Sequence, residues 1–349
     1  MTQLFVEKFS LIAELVEAKS WLQIQADLGL TENTIAAYGR ALEDYLGFCK
    51  RSGLTPKEVT RAQIVAYIHD LRTRPGKKGA KVKRIDSGAG LSNATMQQRL
   101  TAVRLFYDYL IEEGVREINP VGRGRYTPGK AFGGKKEHGL IPTYRRLPWI
   151  PTDEEWKAIL NTALGEPLRN RVMLAMAYDA ALRREELCGL ETGDVDPSAR
   201  LLRIRPENTK GRSERIVPYS EPTGMLFGAY LKHRRQMSRE RGALFISESK
   251  RNKAEPITIW TWSKVIKGIA DRSGVRRFTT HTLRHLRLTD LARAGWDIHE
   301  IATFAGHRSL QTTLLYVHLS GRDLAEKLER TMAELKIDRV QGIAELGGK

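Results

Sequence analysis

Residues 281–316, HTLRHLRLTDLARAGWDIHEIATFAGHRSLQTTLLY, decide how the rest of the chain is read. Gly, Ser and Thr signals divide this region into helices expected at Leu283 to Ala294, Ile298 to Phe304 and Leu310 to Leu319. The chemistry-bearing side chains lie at the edges of these helices: His281, Arg284 and His285 in one short run, His307 after Gly306, and Tyr316 behind Thr312-Thr313. His281 and His285 have the spacing of two metal ligands on one helix face, with His307 and His318 available as further ligands, so a zinc hydrolase has to be weighed. Against it, Thr282 follows His281 where a HExxH protease carries its catalytic Glu, and Arg284 would set a positive charge beside the metal. Tyr316 taken alone is a packed aromatic.

Upstream, Thr152-Asp153-Glu154-Glu155 forms a capping box ahead of Trp156, Ile159 and Leu160, which opens a domain. A helix through Val172, Met176 and Ala180 leads into Leu182-Arg183-Arg184-Glu185-Glu186-Leu187. Leu201 to Arg205 alternates as a strand, and Arg215 to Val217 can return as its partner, giving a hairpin that contains Lys210. A further helix is expected from Thr258 to Arg272. The first half of the chain reads as a small helical bundle. It comprises a helix around Leu11 to Leu28, one capped by Thr31 with its stripe at Ile35, Tyr38, Leu42, Tyr45 and Cys49, and one opened by the Thr60/Gln63 capping box. A last helix starts near Ser92, carries Met96, Leu100, Val103, Tyr107 and Leu110 on one face, and stops at Gly114. The fold class is therefore mainly α with a small β-sheet (α+β). A length of 349 residues with 41% hydrophobic content calls for two domains.

The formal charge of +17, with a pI near 9.9, points to a polyanionic partner, because each Lys or Arg set on a phosphate releases condensed counterions. Two segments concentrate that charge. Between Arg72 and Arg84, the residues Arg72, Arg74, Lys77, Lys78, Lys81, Lys83 and Arg84 occur without an acid, as phosphate contacts or as a solvated basic loop. From Gly122 to Arg146 the composition turns to Gly, Pro and basic residues, among them Arg123, Arg125, Lys130, Lys135, Lys136, Arg145 and Arg146, which is the best domain boundary. A basic tether of this kind suits a protein that wraps a duplex. No apolar run is long enough to span a bilayer, and the start lacks a secretory signal, so a cytoplasmic, nucleoid-associated protein is expected. Cys49 and Cys188 fall in different helical patterns and outside any CxxC arrangement, so both read as reduced core residues.

Taken in order, Arg183, Lys210-Gly211, His281-Thr282-Leu283-Arg284-His285, and Gly306-His307 followed by Tyr316 resemble the tyrosine recombinase, or phage integrase, family. The family's pattern is an Arg, a hairpin Lys, His-x-x-Arg, a second His or Trp, and a nucleophilic Tyr. The motifs cover roughly residues 152 to 320, and the helices between Thr31 and Gly114 look like the family's core-binding domain in pattern only. The resemblance implies a helical core-binding domain over 1–120, a basic linker over 121–148, a catalytic domain over 149–321, and a C-terminal tail over 322–349 that contacts a neighbouring subunit. It implies catalytic roles for Arg183, Lys210, His281, Arg284, His307 and Tyr316, a 3'-phosphotyrosyl intermediate, and strand exchange without cofactor, metal or ATP. The expected partner is double-stranded DNA with paired inverted half-sites, bound by a homo-tetramer that integrates, excises or transposes a mobile element or resolves replicon dimers.

Those roles make independent chemical sense. A phosphodiester gains equatorial charge as a fifth oxygen approaches, so permanently cationic forks such as Arg183 and Arg284 are required. A phenol with an ordinary pKa near 10 needs an acceptor, for which His281 is the candidate, and the departing deoxyribose oxygen needs an acid, for which Lys210 is the candidate. His307 would bond a non-bridging oxygen, Glu186 would position Arg183, and His285 would support the site. Three departures from the family pattern stand out: Ala180-Ala181 before the first Arg in place of a hydroxyl residue and Gly, the charged Arg184-Glu185, and Leu286-Arg287 after the His-x-x-Arg-His core. Alternative functions are relaxation of DNA in the manner of a type IB topoisomerase and DNA-binding regulation without cutting.

Overall fold

In the computed structural model the described residues are 8–74, 90–122, 140–142, 147–209, 213–317 and 328–331. The chain divides into two units, Met1–Arg145 and Arg146–Lys349.

In the first unit, the helix expected over Leu11 to Leu28 is two helices, α1 (Ser10–Glu14) and α2 (Val16–Asp27), separated by Leu15 in an extended conformation. The cause lies in another helix. Glu43 on α3 (Glu32–Arg51) accepts from the Ser10 hydroxyl at 3.1 Å and from the Leu11 and Ile12 amides at 3.0 Å each. The orphan amides of α1 are therefore satisfied by α3, which fixes its direction and leaves Leu15 to turn the chain. The Thr31 hydroxyl caps α3 by accepting from the Thr34 amide, and the Thr60/Gln63 box opens α4 (Arg61–Thr73). Ser92 caps α5 (Asn93–Glu112), and Gly114, at φ +70°, supplies the left-handed residue that ends it. The apolar stripes meet in one core holding Leu42, Tyr45 and Cys49 of α3, Ile64, Tyr67 and Leu71 of α4, and Met96, Leu100, Val103 and Tyr107 of α5.

In the second unit, the Thr152/Glu155 box opens α6 (Asp153–Ala163) as expected, with bonds of 2.8 and 3.3 Å. The helix that follows, α7 (Leu168–Asp179), is buried on nearly all sides: Val172, Met173, Leu174, Met176 and Ala177 are all in the core. A helix without an exposed face is a central helix. The short α8 (Arg184–Cys188) leads to an antiparallel sheet ordered β1-β2-β3, with β1 at Val195–Asp196, β2 at Leu201–Ile204 and β3 at Arg215–Pro218. Leu202 pairs with Val217 and Ile204 with Arg215, so Leu202, Ile204 and Val217 enter the core. Strand β1 and helix α9 (Glu221–Met237) were not foreseen from the sequence. Helix α9 packs on α7, and the buried carboxylate of Asp179 accepts from the Ser220 amide at 2.8 Å at its start. Helices α10 (Ile259–Arg272), α11 (Thr280–Arg293), α12 (Ile298–Ala305) and α13 (Leu310–Val317) complete the unit, and α11 lies against α7, α12 and α13.

Among the described residues no helix is long and apolar enough to cross a membrane. Both cysteines are free, Cys49 buried and Cys188 half-buried, with burial pushing the Cys188 thiol up to about 12.

Candidate active site

The site is assembled around the start of α8. Ala181 precedes it with φ +47°, a left-handed conformation that a Cβ disfavours, and Leu182 is buried behind it. This tight turn delivers Arg183 as the N-cap of α8. Glu186, at the third helical position, accepts from the Arg183 amide at 2.9 Å and from Arg183 Nη1 at 2.7 Å, so the same carboxylate caps the helix and orients the guanidinium. Glu186 is fully buried. It is held there by a second arginine: Arg215 Nη1 donates to Oε1 at 3.0 Å and Nη2 to Oε2 at 2.7 Å. Burial pushes the Glu186 carboxyl up, but the forks of Arg215 and Arg183 outweigh that and bring it down to about 2.

Arg284 comes from the first turns of α11 and is 3% exposed. Its Nη1 donates to the Ala181 carbonyl and its Nη2 to the Ala305 carbonyl, each at 2.6 Å, which ties α8 and the end of α12 to α11. Burial, and then repulsion from Arg183, push its pKa down to about 10, so it remains charged at neutral pH. Gly306 ends α12 in the left-handed region at φ +64°, and a Cβ there would lie 3.0 Å from Arg215 Nη1, so both backbone and space require glycine. Arg183 Nη2 reaches the Gly306 carbonyl at 3.4 Å.

His307 follows. Its Nδ1 lies 2.8 Å from the Thr313 hydroxyl, and its ring stacks on Tyr316 with centroids 5.9 Å apart and planes 10° from parallel. Tyr316 is 4% exposed, and its Oη lies 2.9 Å from His285 Nδ1. Burial raises the Tyr316 phenol, and the fields of Arg284 and Arg183 only partly offset this. Burial also lowers the imidazoles, His285 to about 4 and His307 to about 3, with Arg284 adding to both, so the two rings are neutral at pH 7. In the Nε2-H tautomer, the neutral His285 ring presents Nδ1 as a hydrogen-bond acceptor for the Tyr316 hydroxyl.

The structure thus brings together Arg183, Arg284, His307 and Tyr316, with Glu186 and His285 among them. His281 differs from its expected place: it is exposed in the first turn of α11, its ring centroid 6.3 Å from that of His285, so the imidazole on the phenol is His285. Partial burial of its ring lowers His281 too; Glu185 opposes this, and Arg184, Arg284 and Arg183 add to it. Lys210 and His318 lie outside the described residues, as do Lys77, Lys78, Lys81, Lys83, Arg84, Arg123, Arg125, Lys130, Lys135 and Lys136. Of the first basic segment, Arg72 is exposed, whereas Arg74 donates to Asp44 at 2.5 Å and also pairs with Asp70. No group of three or more His, Cys, Asp or Glu among the described residues is arranged to hold a metal.

Sequence reasoning placed Arg215 only in the returning strand and did not single out the bond of Thr313 to His307. The signal for Arg215 is its charge at a strand position facing the core. Arg184, one of the departures from the family pattern, donates to Glu185 at 2.7 Å and lies 5.9 Å from the ring centroid of the exposed Trp260. Arg287, another, covers the ring of Tyr178, whose hydroxyl bonds Asp290 at 2.7 Å.

Residues 151–322 match the phage integrase family, and residues 19–114 match the phage integrase N-terminal SAM-like domain. A tyrosine recombinase XerC of Herpetosiphon aurantiacus is 29% identical over 311 residues, spanning 88% of this chain and 91% of its own. A XerD of Halalkalibacterium halodurans is 27% identical, over 85% of this chain and 90% of its own. The fold is that of the XerH recombinase bound to palindromic difH DNA (TM-score 0.65, 19% identity, 84% of this chain and 78% of that one) and of the Tn1549 transposon integrase bound to transposon-end DNA (0.64, 17%, 90% and 98%). The segment 19–114 carries the capped bundle and 151–322 the arginine-lined tyrosine, and the chain belongs to the tyrosine recombinase, or phage integrase, family.

Proposed function

We propose that the chain cuts and rejoins DNA through Tyr316. Its Oη attacks the scissile phosphorus, the P–O5' bond breaks, and a 3'-phosphotyrosyl ester remains beside a free 5'-hydroxyl. The observation that carries this reading is the packing of Tyr316 Oη against a neutral imidazole while two guanidiniums, Arg183 and Arg284, bias the same small space to positive charge. The guanidiniums stabilise the charge that develops on the non-bridging oxygens, and His307 donates to one of them. His285 Nδ1 takes the phenol proton, and His281, exposed one turn earlier, faces the phosphate. Lys210 gives its proton to the leaving 5'-oxygen. Because the ester conserves the bond energy, a 5'-hydroxyl from another strand reverses the step without ATP or metal.

The proposal extends to paired inverted half-sites bound by a homo-tetramer in the cytoplasm, serving integration, excision or transposition of a mobile element or the resolution of replicon dimers. A core-binding unit ending near residue 120 and a catalytic unit over 149–321, joined by the basic linker, supply the DNA contacts in this reading, with the tail over 322–349 contacting a neighbouring subunit. Support comes from the matched families, from relatives named as recombinases, and from the chain's charge.

The test is a nicked suicide duplex carrying a site selected from a random-sequence pool. Wild type traps a covalent adduct, whereas Tyr316→Phe gives none while binding the duplex within about threefold of wild type. A supercoiled plasmid with two such sites should yield exchanged products; relaxation alone would replace recombination with the topoisomerase-like activity.

A further inference from the structure

The geometry points to Arg215 as a positioning residue for strand cleavage, one that sets the fork of Arg183 through Glu186 and the His307 turn through the Phe304 carbonyl. This deepens the proposed function and rests on its reading of Arg183, His307 and Tyr316.

Arg215 has an 8% exposed side chain, against 24% for Arg183, so it works on other residues rather than as an open phosphate ligand. Its three nitrogens are all occupied: Nη1 and Nη2 span the two oxygens of Glu186, and Nε donates to the Phe304 carbonyl at 3.2 Å. The fully buried Glu186 charge requires compensation, and Arg215 provides it with a bidentate fork. Arg183 consequently gives Glu186 a single side-chain contact, through Nη1, and apart from the long 3.4 Å contact of Nη2 with the Gly306 carbonyl keeps its donors for an anion. Without Arg215, Arg183 would be the only one of the pair left to neutralise the carboxylate, and the attraction that now orients it would draw it away from the phosphate.

The second contact does a parallel job. Phe304 is two residues before Gly306, and Gly306 packs so closely on Arg215 that an added Cβ would lie 3.0–3.3 Å from its guanidinium and Cδ. The turn that presents His307 therefore rests on the same side chain that frees Arg183. A lysine, a point charge on a flexible stem, cannot span both Glu186 oxygens and the Phe304 carbonyl at once.

The test measures single-turnover adduct formation on the nicked duplex at saturating protein, alongside equilibrium binding of the same duplex. Arg215→Lys should slow cleavage by about tenfold and Arg215→Met by about a hundredfold, with binding within about threefold of wild type. The discriminating arm replaces the scissile phosphate with an uncharged methylphosphonate, on which Arg183 has less charge to stabilise. There the Arg215→Met defect should shrink to about threefold or less. The double variant Arg215→Met with Glu186→Gln removes the buried charge together with its partner. It should recover part of the lost rate, and it keeps the test alive if Arg215→Met fails to fold. An unchanged rate in both Arg215 variants, an equal defect on both linkages, or a double variant that folds yet cleaves no faster than Arg215→Met would overturn the positioning role. A wild type that forms no adduct, or a Tyr316→Phe protein that still does, would instead overturn the cleavage reading itself and the positioning role with it.

Discussion

Each unit builds a half-buried ion cluster from the same parts, and the two differ in how the charges balance. In the first, Asp44 accepts from the Tyr67 hydroxyl at 2.9 Å and from Arg74 at 2.5 Å and forms an ion pair with Arg99 at 2.5 Å, while Asp70 takes the other end of Arg74 and the exposed Arg51 approaches it at 3.9 Å. In the second, among the described residues, Glu186 is the carboxylate bonded to Arg183 and Arg215, and Arg284 beside them donates to the Ala181 and Ala305 carbonyls. The pKa directions report the consequence. Asp70 and Asp44 hold Arg74 above its ordinary value in spite of burial, whereas burial and Arg183 push Arg284 down to about 10. A balanced cluster is a joint between helices; an unbalanced one is held short of an anion.

The largest expected effect separates these roles. Arg284→Gln should lower single-turnover cleavage by about a hundredfold to a thousandfold, the scale for losing a preorganised charge donor. Its thermal midpoint should move little, since relief of repulsion with Arg183 offsets the weakened bonds to Ala181 and Ala305. A large fall in midpoint with an unchanged cleavage rate would make Arg284 a strut, and the contrast between the clusters would collapse.

Acid should distinguish the units next. The lowered His285 and His307 bind protons in the unfolded chain below about pH 6.5 but in the folded one only near 4 and 3, so stability of the second unit falls as pH drops across that window. Glu186, held at about 2, adds a contribution of about 3 kcal/mol that is present above its unfolded pKa and lost as pH falls toward 2. In the first unit Asp44 is lowered as well, burial opposing and Arg99 and Arg74 prevailing, so its loss begins only in the carboxylate range. Hydrogen exchange followed from pH 7 to 4 should show protection declining first in α11 and α12. Equal decline in α3 and α4 would count against the difference.

A smaller change tests the balanced cluster. Asp44→Asn keeps the Tyr67 bond, removes the counter-charge of Arg99 and leaves Arg74 with Asp70 alone, so the first unit should lose about 1–2 kcal/mol in urea unfolding while the adduct rate at saturating protein stays that of wild type. A cleavage defect under those conditions would show that the cluster does more than join helices.

How far these clusters could be foreseen follows from the range over which the sequence acts. Caps and stripes are local, so Thr31, Thr60, Ser92 and Thr152 mark helix starts that the structure keeps. The break at Leu15 depends on Glu43, far along the chain, and no periodicity reports it. Helix α9 carried a readable stripe in Thr223, Phe227, Tyr230 and Arg234, obscured by Pro222, Gly224 and Gly228. Within the site, residue types and order were readable, but His281 and His285 share one helix face, and only the packing of α13 on α11 puts the latter on Tyr316. Likewise Arg74 looks like a phosphate contact until α3 supplies Asp44.

The smallest effect concerns the turn that feeds the unbalanced cluster. Ala181 holds φ +47° where glycine would be unstrained, and its carbonyl accepts from Arg284. Ala181→Gly removes a left-handed penalty of about 1 kcal/mol. It also empties a fully buried methyl site, worth about 0.8 kcal/mol, and frees the unfolded chain by a further 0.5–1 kcal/mol or so. The terms nearly cancel, with a net loss of about 1 kcal/mol or less expected in urea unfolding. The adduct rate is the sharper readout, because the backbone at Ala181 sets where Arg284 ends and Arg183 begins. A rate within about twofold of wild type would mean that this backbone is fixed by the arginines around it. A tenfold fall would mean that the alanine itself holds the turn, and that the excess positive charge depends on a strained residue for its aim.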